Sequence, residues 1–295
     1  MSDDEIACEV VCSDGWRLRG SVRLPAGPPR AVVVAGHAMM VDRRTLDRPR
    51  RGGLVSFLVE QQFAVVWCDL RGHGKSGPRA HEGADWSYDD LVERDVPALV
   101  GFARQRFPGL PVVALGHSLF GHVTLAHLAR HPELALDGLV MLAGNVSNPT
   151  WRRRPIAWAQ KQVPIEILGN LALVMTGRLP VRLLRMGTDD ESRSYLQQFI
   201  RNTRRAAWRA RDGFDYFAAL GRVRVPTLAV ASDGDWLYSP PADVRALMAA
   251  VPGARVEVLR GGPSHMGFVL DANAGRPAWE LAARFIGEVA AARAA

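Results

Sequence analysis

Four short runs, AVVVAG (31–36), FAVVWCD (63–69), PVVALG (111–116) and LDGLVMLAG (136–144), are almost wholly apolar and rich in β-branched residues. Strands of that composition are expected where both faces of a sheet are covered, as in a parallel sheet. The segments between them, GLVSFLVEQQ, YDDLVERDVPALVGFARQRF and TLAHLARH, carry apolar residues at helical spacing. Strand alternating with helix predicts a doubly wound α/β domain. The pattern resumes with VPTLAVAS (225–232), a helix over 241–250, ARVEVLRG (254–261) and a last helix over 277–292. Ahead of it, CEVVCSD and WRLRGSVRLP flank Asp14 and Gly15 and predict an N-terminal β-hairpin.

Residues 145–215 interrupt this order. The stretch is rich in Arg, Trp and Pro and has no run of the core type, so it reads as a helical insertion dividing a core of 1–144 and 216–295. It enters after the C-terminal end of a strand, the edge where open α/β sheets bind ligands, and is expected to cap the site. It also holds thirteen basic against six acidic residues, which accounts for the whole net charge of +7. Within it, IEILGNLALVM (165–175) with Trp151, Trp158 and Trp208 reads as an acyl-pocket wall or as packing between cap and body. WRRRP and RNTRRAAWRAR read as an attractor for an anionic substrate or lipid surface, giving peripheral membrane contact, or as a solvated arginine-rich helix.

The opening MSDDEIACEV lacks the order of a signal peptide and no later run approaches membrane-spanning length, so a cytoplasmic address without a transmembrane segment is expected. Cys8, Cys12 and Cys68 have no metal-ligand spacing, and their odd number points to reduced thiols. His127 and His131 in HLARH enclose no glutamate and precede Pro132, which favours a solvated helix end over a metal site. No nucleic-acid module accompanies the basic charge, and no nucleic-acid partner is expected.

The chemistry-bearing stretch is GHSLFGH (116–122), a strand-to-helix turn with Ser118 at its centre. A serine hydroxyl needs a base and an orienting acid. SDGDWLYSP offers Asp235 and GGPSHMGF offers His265, each in a loop after a late strand. With GHAMM after the first parallel strand and DLRGHGKSG after the next, these segments resemble the α/β-hydrolase superfamily over nearly the whole chain, nearest the branch of monoacylglycerol lipases and lysophospholipase-like esterases. The resemblance implies a mostly parallel sheet with helices on both faces, Ser118 as nucleophile, His265 as base, and Asp235 as the acid that fixes the imidazole tautomer. It implies Met39 and Leu119 as backbone oxyanion donors, each typically worth about 3 kcal/mol in the transition state.

On that reading the substrate is a small-molecule carboxylic ester, lipophilic or anionic, cleaved through an acyl-enzyme without metal or organic cofactor. Amide, thioester and peptide hydrolysis share the same intermediate, and a non-catalytic binding protein on the same fold is the alternative of another class. Asp233 is the rival acid, which the resemblance leaves as a turn residue. His37, His73 and Asp69 fall in loops that they are expected to hold. Two positions depart from the family pattern: Ala38 replaces a glycine, and Phe120 stands where G-x-S-x-G places its second glycine. The expected accommodation is a ring lying along the first turn of the following helix, with Gly121 relieving the crowding.

Overall fold

The computed structural model describes residues 5–146 and 155–294. Eight strands, β1 (Glu5–Val11), β2 (Arg17–Arg23), β3 (Ala31–Gly36), β4 (Phe63–Cys68), β5 (Val112–His117), β6 (Gly138–Leu142), β7 (Thr227–Ser232) and β8 (Arg255–Leu259), form one sheet. Their order is β1-β2-β4-β3-β5-β6-β7-β8. Only β2 pairs antiparallel with its neighbours, and every contact from β4 to β8 is parallel. The five strands β3 to β7 are buried along their whole length, which is why their sequences do not alternate. The predicted hairpin forms, with Gly15 at φ +83° in its turn. Across that hairpin Cys8 and Cys68 approach to 3.8 Å over the bare Cα of Gly20. All three cysteines are free thiols.

Helices cover both faces. On one lie α1 (Leu54–Glu60) and the C-terminal helix, whose Trp279, Phe285 and Ile286 pack with Val33, Val65 and Leu115. On the other, α2 (Val96–Arg106) and α3 (Leu119–Arg130) pack Leu99, Val123 and Leu128 against Val34, Val66 and Ala114. The C-terminal helix spans Ala272–Ala294, starting before Pro277 rather than at it. Asp271 accepts hydrogen bonds from the Asn273 and Ala274 amides at 3.0 Å, a cap that lets the helix begin earlier.

Between β6 and β7 the described chain contributes no strand to the sheet. It holds α4 (Pro155–Pro164), a π-helical turn at Ile165–Gly169 running into α5 (Asn170–Thr176), and α6 (Arg193–Arg204). The segment reaches back over the loops that follow β3 and β4. Thr188 N–H donates to Met40 O at 2.8 Å, and Gly74 N–H donates to Asp189 at 3.0 Å. The 165–175 segment is not packed on the body: Ile167, Leu168 and Leu171 are exposed, and Val174 is 83% accessible. Its helix packs inward mainly through Ala172 and Leu173, against Leu196 and Ile200. Trp208 is buried in the core, Trp158 is half-buried, and Trp151 lies outside the described residues. No described helix is long and apolar enough to cross a membrane.

Candidate active site

Ser118 occupies the junction of β5 and α3 at φ 51°, ψ −107°. A non-glycine residue at positive φ is strained, and it persists only when its surroundings fix it. Here the Ser118 amide donates to Leu142 O of β6 at 2.9 Å, while its carbonyl accepts from His122 N–H at 3.3 Å. The bend brings strand and helix backbones together: a Cβ on Gly116 would lie 2.0 Å from Gly121 N. Glycine is required at 116 for that reason.

Phe120 does not lie along the helix turn. Its fully buried ring covers Gly36 of β3, where a Cβ would fall 2.0 Å from Phe120 Cγ. The bulk of Phe120 is thus accommodated by a missing side chain on the neighbouring strand, and Gly121, next to Gly116 O and Met141, plays the lesser part. Ala38 needs no glycine conformation either. The left-handed residue in that loop is Met40, at φ 66°.

Asp235 is buried after β7 and accepts from His265 Nδ1–H at 2.6 Å, its other oxygen taking Tyr238 N–H at 3.1 Å. With Nδ1 donating to a carboxylate, His265 Nε2 carries the lone pair, as a general base requires. Asp233 is exposed and closes a turn, accepting Gly262 N–H at 3.3 Å. His117 secures the His265 loop: its Nε2 lies 2.9 Å from His265 O, and the two rings are 5.2 Å apart. The loop is therefore docked on the residue next to Ser118. Among the described residues no hydrogen bond joins Ser118 Oγ to the imidazole, a contact that commonly tightens only when substrate binds.

The Met39 and Leu119 amides donate to no described protein acceptor, which leaves both available to an external oxygen. The Met39 loop is pinned from the insertion. Glu191, wholly buried, accepts Met40 N–H at 2.7 Å and faces His73 Nε2 at 3.1 Å. Glu191 overcomes the burial of His73 and raises its pKa to about 9, so His73 is charged at neutral pH. His37 instead is pushed down to about 3 by burial, with His73 adding to the effect. Neutral, it donates Nδ1–H to Ala38 O at 2.7 Å and accepts Leu70 N–H at 3.0 Å. Asp69 accepts from the amides of Arg43 and Lys75, at 2.8 and 2.9 Å. These three residues hold loops.

The sequence assigns His122 no role, because it is five residues from His117 and the two do not share a helical face. His122 stands one turn after Ser118 on α3, near enough to His265 for that residue's charge to act on it. Tyr88 links it to the insertion: Trp208 Nε1–H donates to Tyr88 Oη at 3.1 Å, and Tyr88 Oη lies 3.0 Å from His122 Nδ1. Tyr88 Oη also donates to His122 O at 3.3 Å, so the hydroxyl is held by Trp208 and by both the ring and the backbone of His122. Desolvation, with the charge of His265 adding to it, lowers His122 to about 3 and keeps it neutral. The three partners are far apart in sequence, so no local motif could have signalled them.

An eight-stranded, mostly parallel sheet with a serine at the bend after its fifth strand and two later loops converging on it is the α/β-hydrolase fold. The chain belongs to the serine aminopeptidase S33 family of that fold, whose family model matches residues 27–262. It is 37% identical over 119 residues to a monoacylglycerol lipase of Mycolicibacterium smegmatis, covering 40% of this chain and 39% of the relative. It is 28% identical over 141 residues to the human monoglyceride lipase, covering 48% of this chain and 44% of that protein. These matches span less than half the length of either relative. A monoacylglycerol lipase structure from Paleococcus ferrophilus superimposes with a TM-score of 0.61 at 18% identity, covering 91% of this chain and 98% of that one.

Proposed function

We propose that the chain is a carboxylic ester hydrolase working through an acyl-enzyme. Ser118 attacks the ester carbonyl, and His265 Nε2 takes the hydroxyl proton and returns it to the leaving alcohol. Asp235 steadies the imidazolium, and the Met39 and Leu119 amides stabilise the oxyanion. The observation that carries this is the 2.6 Å bond from His265 Nδ1 to Asp235, on a loop docked beside the strained Ser118. The family, and the lipases among its relatives, support an ester as substrate.

The substrate we infer is lipophilic and met at a lipid surface, with 145–215 acting as the cap. Leu171, Val174, Met175 and Leu183 on this segment are exposed apolar side chains, and Arg182 and Arg185, which flank Leu183 in sequence, suit anionic headgroups. Amide hydrolysis is the second reading, favoured by the aminopeptidase description of the family.

A fluorophosphonate probe should label the wild type and not Ser118→Ala, and p-nitrophenyl esters should be turned over faster than the matching p-nitroanilides. A folded wild type that takes no label overturns the hydrolase reading. Faster anilide cleavage overturns the ester assignment.

A further inference from the structure

At the far end of α3 from Ser118, three side chains from two segments converge. His127 and His131, one helical turn apart, have ring centroids 4.8 Å apart. Glu93, from the π-helical turn Leu91–Asp95 that leads into α2, closes the third side. One ring nitrogen from each histidine and one carboxylate oxygen lie within 4.8 Å of one another.

The histidine nitrogens have complementary partners. His127 Nδ1 lies 2.7 Å from Val92 O, which can only accept, so Nδ1 holds the proton and Nε2 keeps its lone pair. His131 presents Nε2 to Glu93 at 2.7 Å and Nδ1 to Glu133 at 3.4 Å. A proton on Nδ1, directed at Glu133, leaves His131 Nε2 able to ligate as well. An acceptor on the non-ligating nitrogen is what orients a histidine toward a metal and raises its basicity.

We propose that Glu93, His127 and His131 bind a divalent transition-metal cation of the zinc class, with water completing its coordination. Two imidazoles and one carboxylate form a donor set suited to such ions. Arg130 is the opposing charge: its Nε lies 3.5 Å from Glu93 Oε1, and its Nη2 bonds Asp212 at 2.7 Å. Oε1 is buried and has no hydrogen-bond donor despite that ion pair, and Oε2 is the oxygen facing His131. The nearby guanidinium opposes a cation and weakens the site. An ion here joins the C-terminus of α3 to the turn before α2, clamping the helix whose other end presents Ser118. The histidine spacing alone lacked the third ligand, because Glu93 lies on a separate segment.

The test is a titration of the full chain with Co²⁺ and with Zn²⁺ in a non-chelating buffer at neutral pH. Ligand-field absorption, calorimetry and Tm are the readouts. The expected result is one saturable ion per chain, Co²⁺ bands of mixed nitrogen and oxygen ligation, and a raised Tm. His131→Gln and Glu93→Gln should each abolish all three effects, and Glu133→Gln should weaken binding by about tenfold. Ser118→Ala should bind like the wild type. His131 is partly exposed, so its variant is expected to fold, and its metal-free Tm checks this. Absence of saturable binding, or binding that survives both His131→Gln and Glu93→Gln, overturns the proposal.

Discussion

The sheet and the insertion are held by different physics. In β3 to β7 every residue is buried and nearly all are apolar, so cohesion comes from non-directional removal of surface from water. In the insertion many large apolar side chains face outward, and three of four consecutive polar residues carry much of the docking. Asp189 takes Gly74 N–H, Glu191 takes Met40 N–H and Ser192 bonds the Trp86 backbone, while Asp190 takes Arg182 N–H at 2.9 Å within the insertion itself. A core of the first kind tolerates volume-conserving change. The second kind depends on individual atoms, and one of its anchors, Glu191, also sets the loop that offers the Met39 amide.

The largest effect should come from breaking that anchor. Glu191→Ala strands the His73 cation and the Met40 amide in a dry environment and should cost about 3–5 kcal/mol in urea unfolding. A loss under about 1 kcal/mol would mean that the insertion is held by packing instead.

The matching change in the core is Gly36→Ala, whose Cβ meets the Phe120 ring. Overpacking there should cost about 1–3 kcal/mol. The cost should shrink in a Phe120→Gly background, because the two positions share one space. Additive losses in the double variant would remove Phe120 as the cause.

Buried histidines distinguish the two regions by pH. His37, His117 and His122 are each depressed from 6.5 to about 3, chiefly by burial. Below their unfolded pKa the unfolded chain binds protons that the native state refuses. Their stability is therefore intact above pH 6.5 and lost as pH falls toward about 3, at about 1.4 kcal/mol per unit for each histidine. His73 has the opposite sign. Its contribution is full below 6.5 and fades as pH rises through about 9. Urea unfolding across pH should show both limbs, and Glu191→Gln should remove the alkaline one alone.

The smallest stability effect belongs to the outward face. Val174→Ser with Met175→Ser should stay within about 0.5 kcal/mol while reducing adsorption to anionic vesicles. Unchanged adsorption would separate this surface from lipid.

The sheet was legible because burial on both faces writes itself into each strand locally: AVVVAG coincides with β3 residue for residue. Ser118, Asp235 and His265 were legible as positions because each follows a recognisable strand end. The rest depends on contacts between distant segments. Nothing near Phe120 announces that Gly36 makes room for it, and nothing near His122 announces Tyr88 or Trp208. The helix 165–176 misled for a related reason. Its apolar content fits packing on the body as well as it fits an exposed face, and only the placement of α6 shows which side is left outside.

The central claim is covalent chemistry at one residue, and rapid mixing with a p-nitrophenyl ester followed by acid quench and peptide mass analysis tests it most directly. The account predicts a burst of one p-nitrophenolate per chain and an acyl mass on the peptide containing Ser118. A folded chain that gives no burst, or that carries the acyl group on another residue, would contradict it.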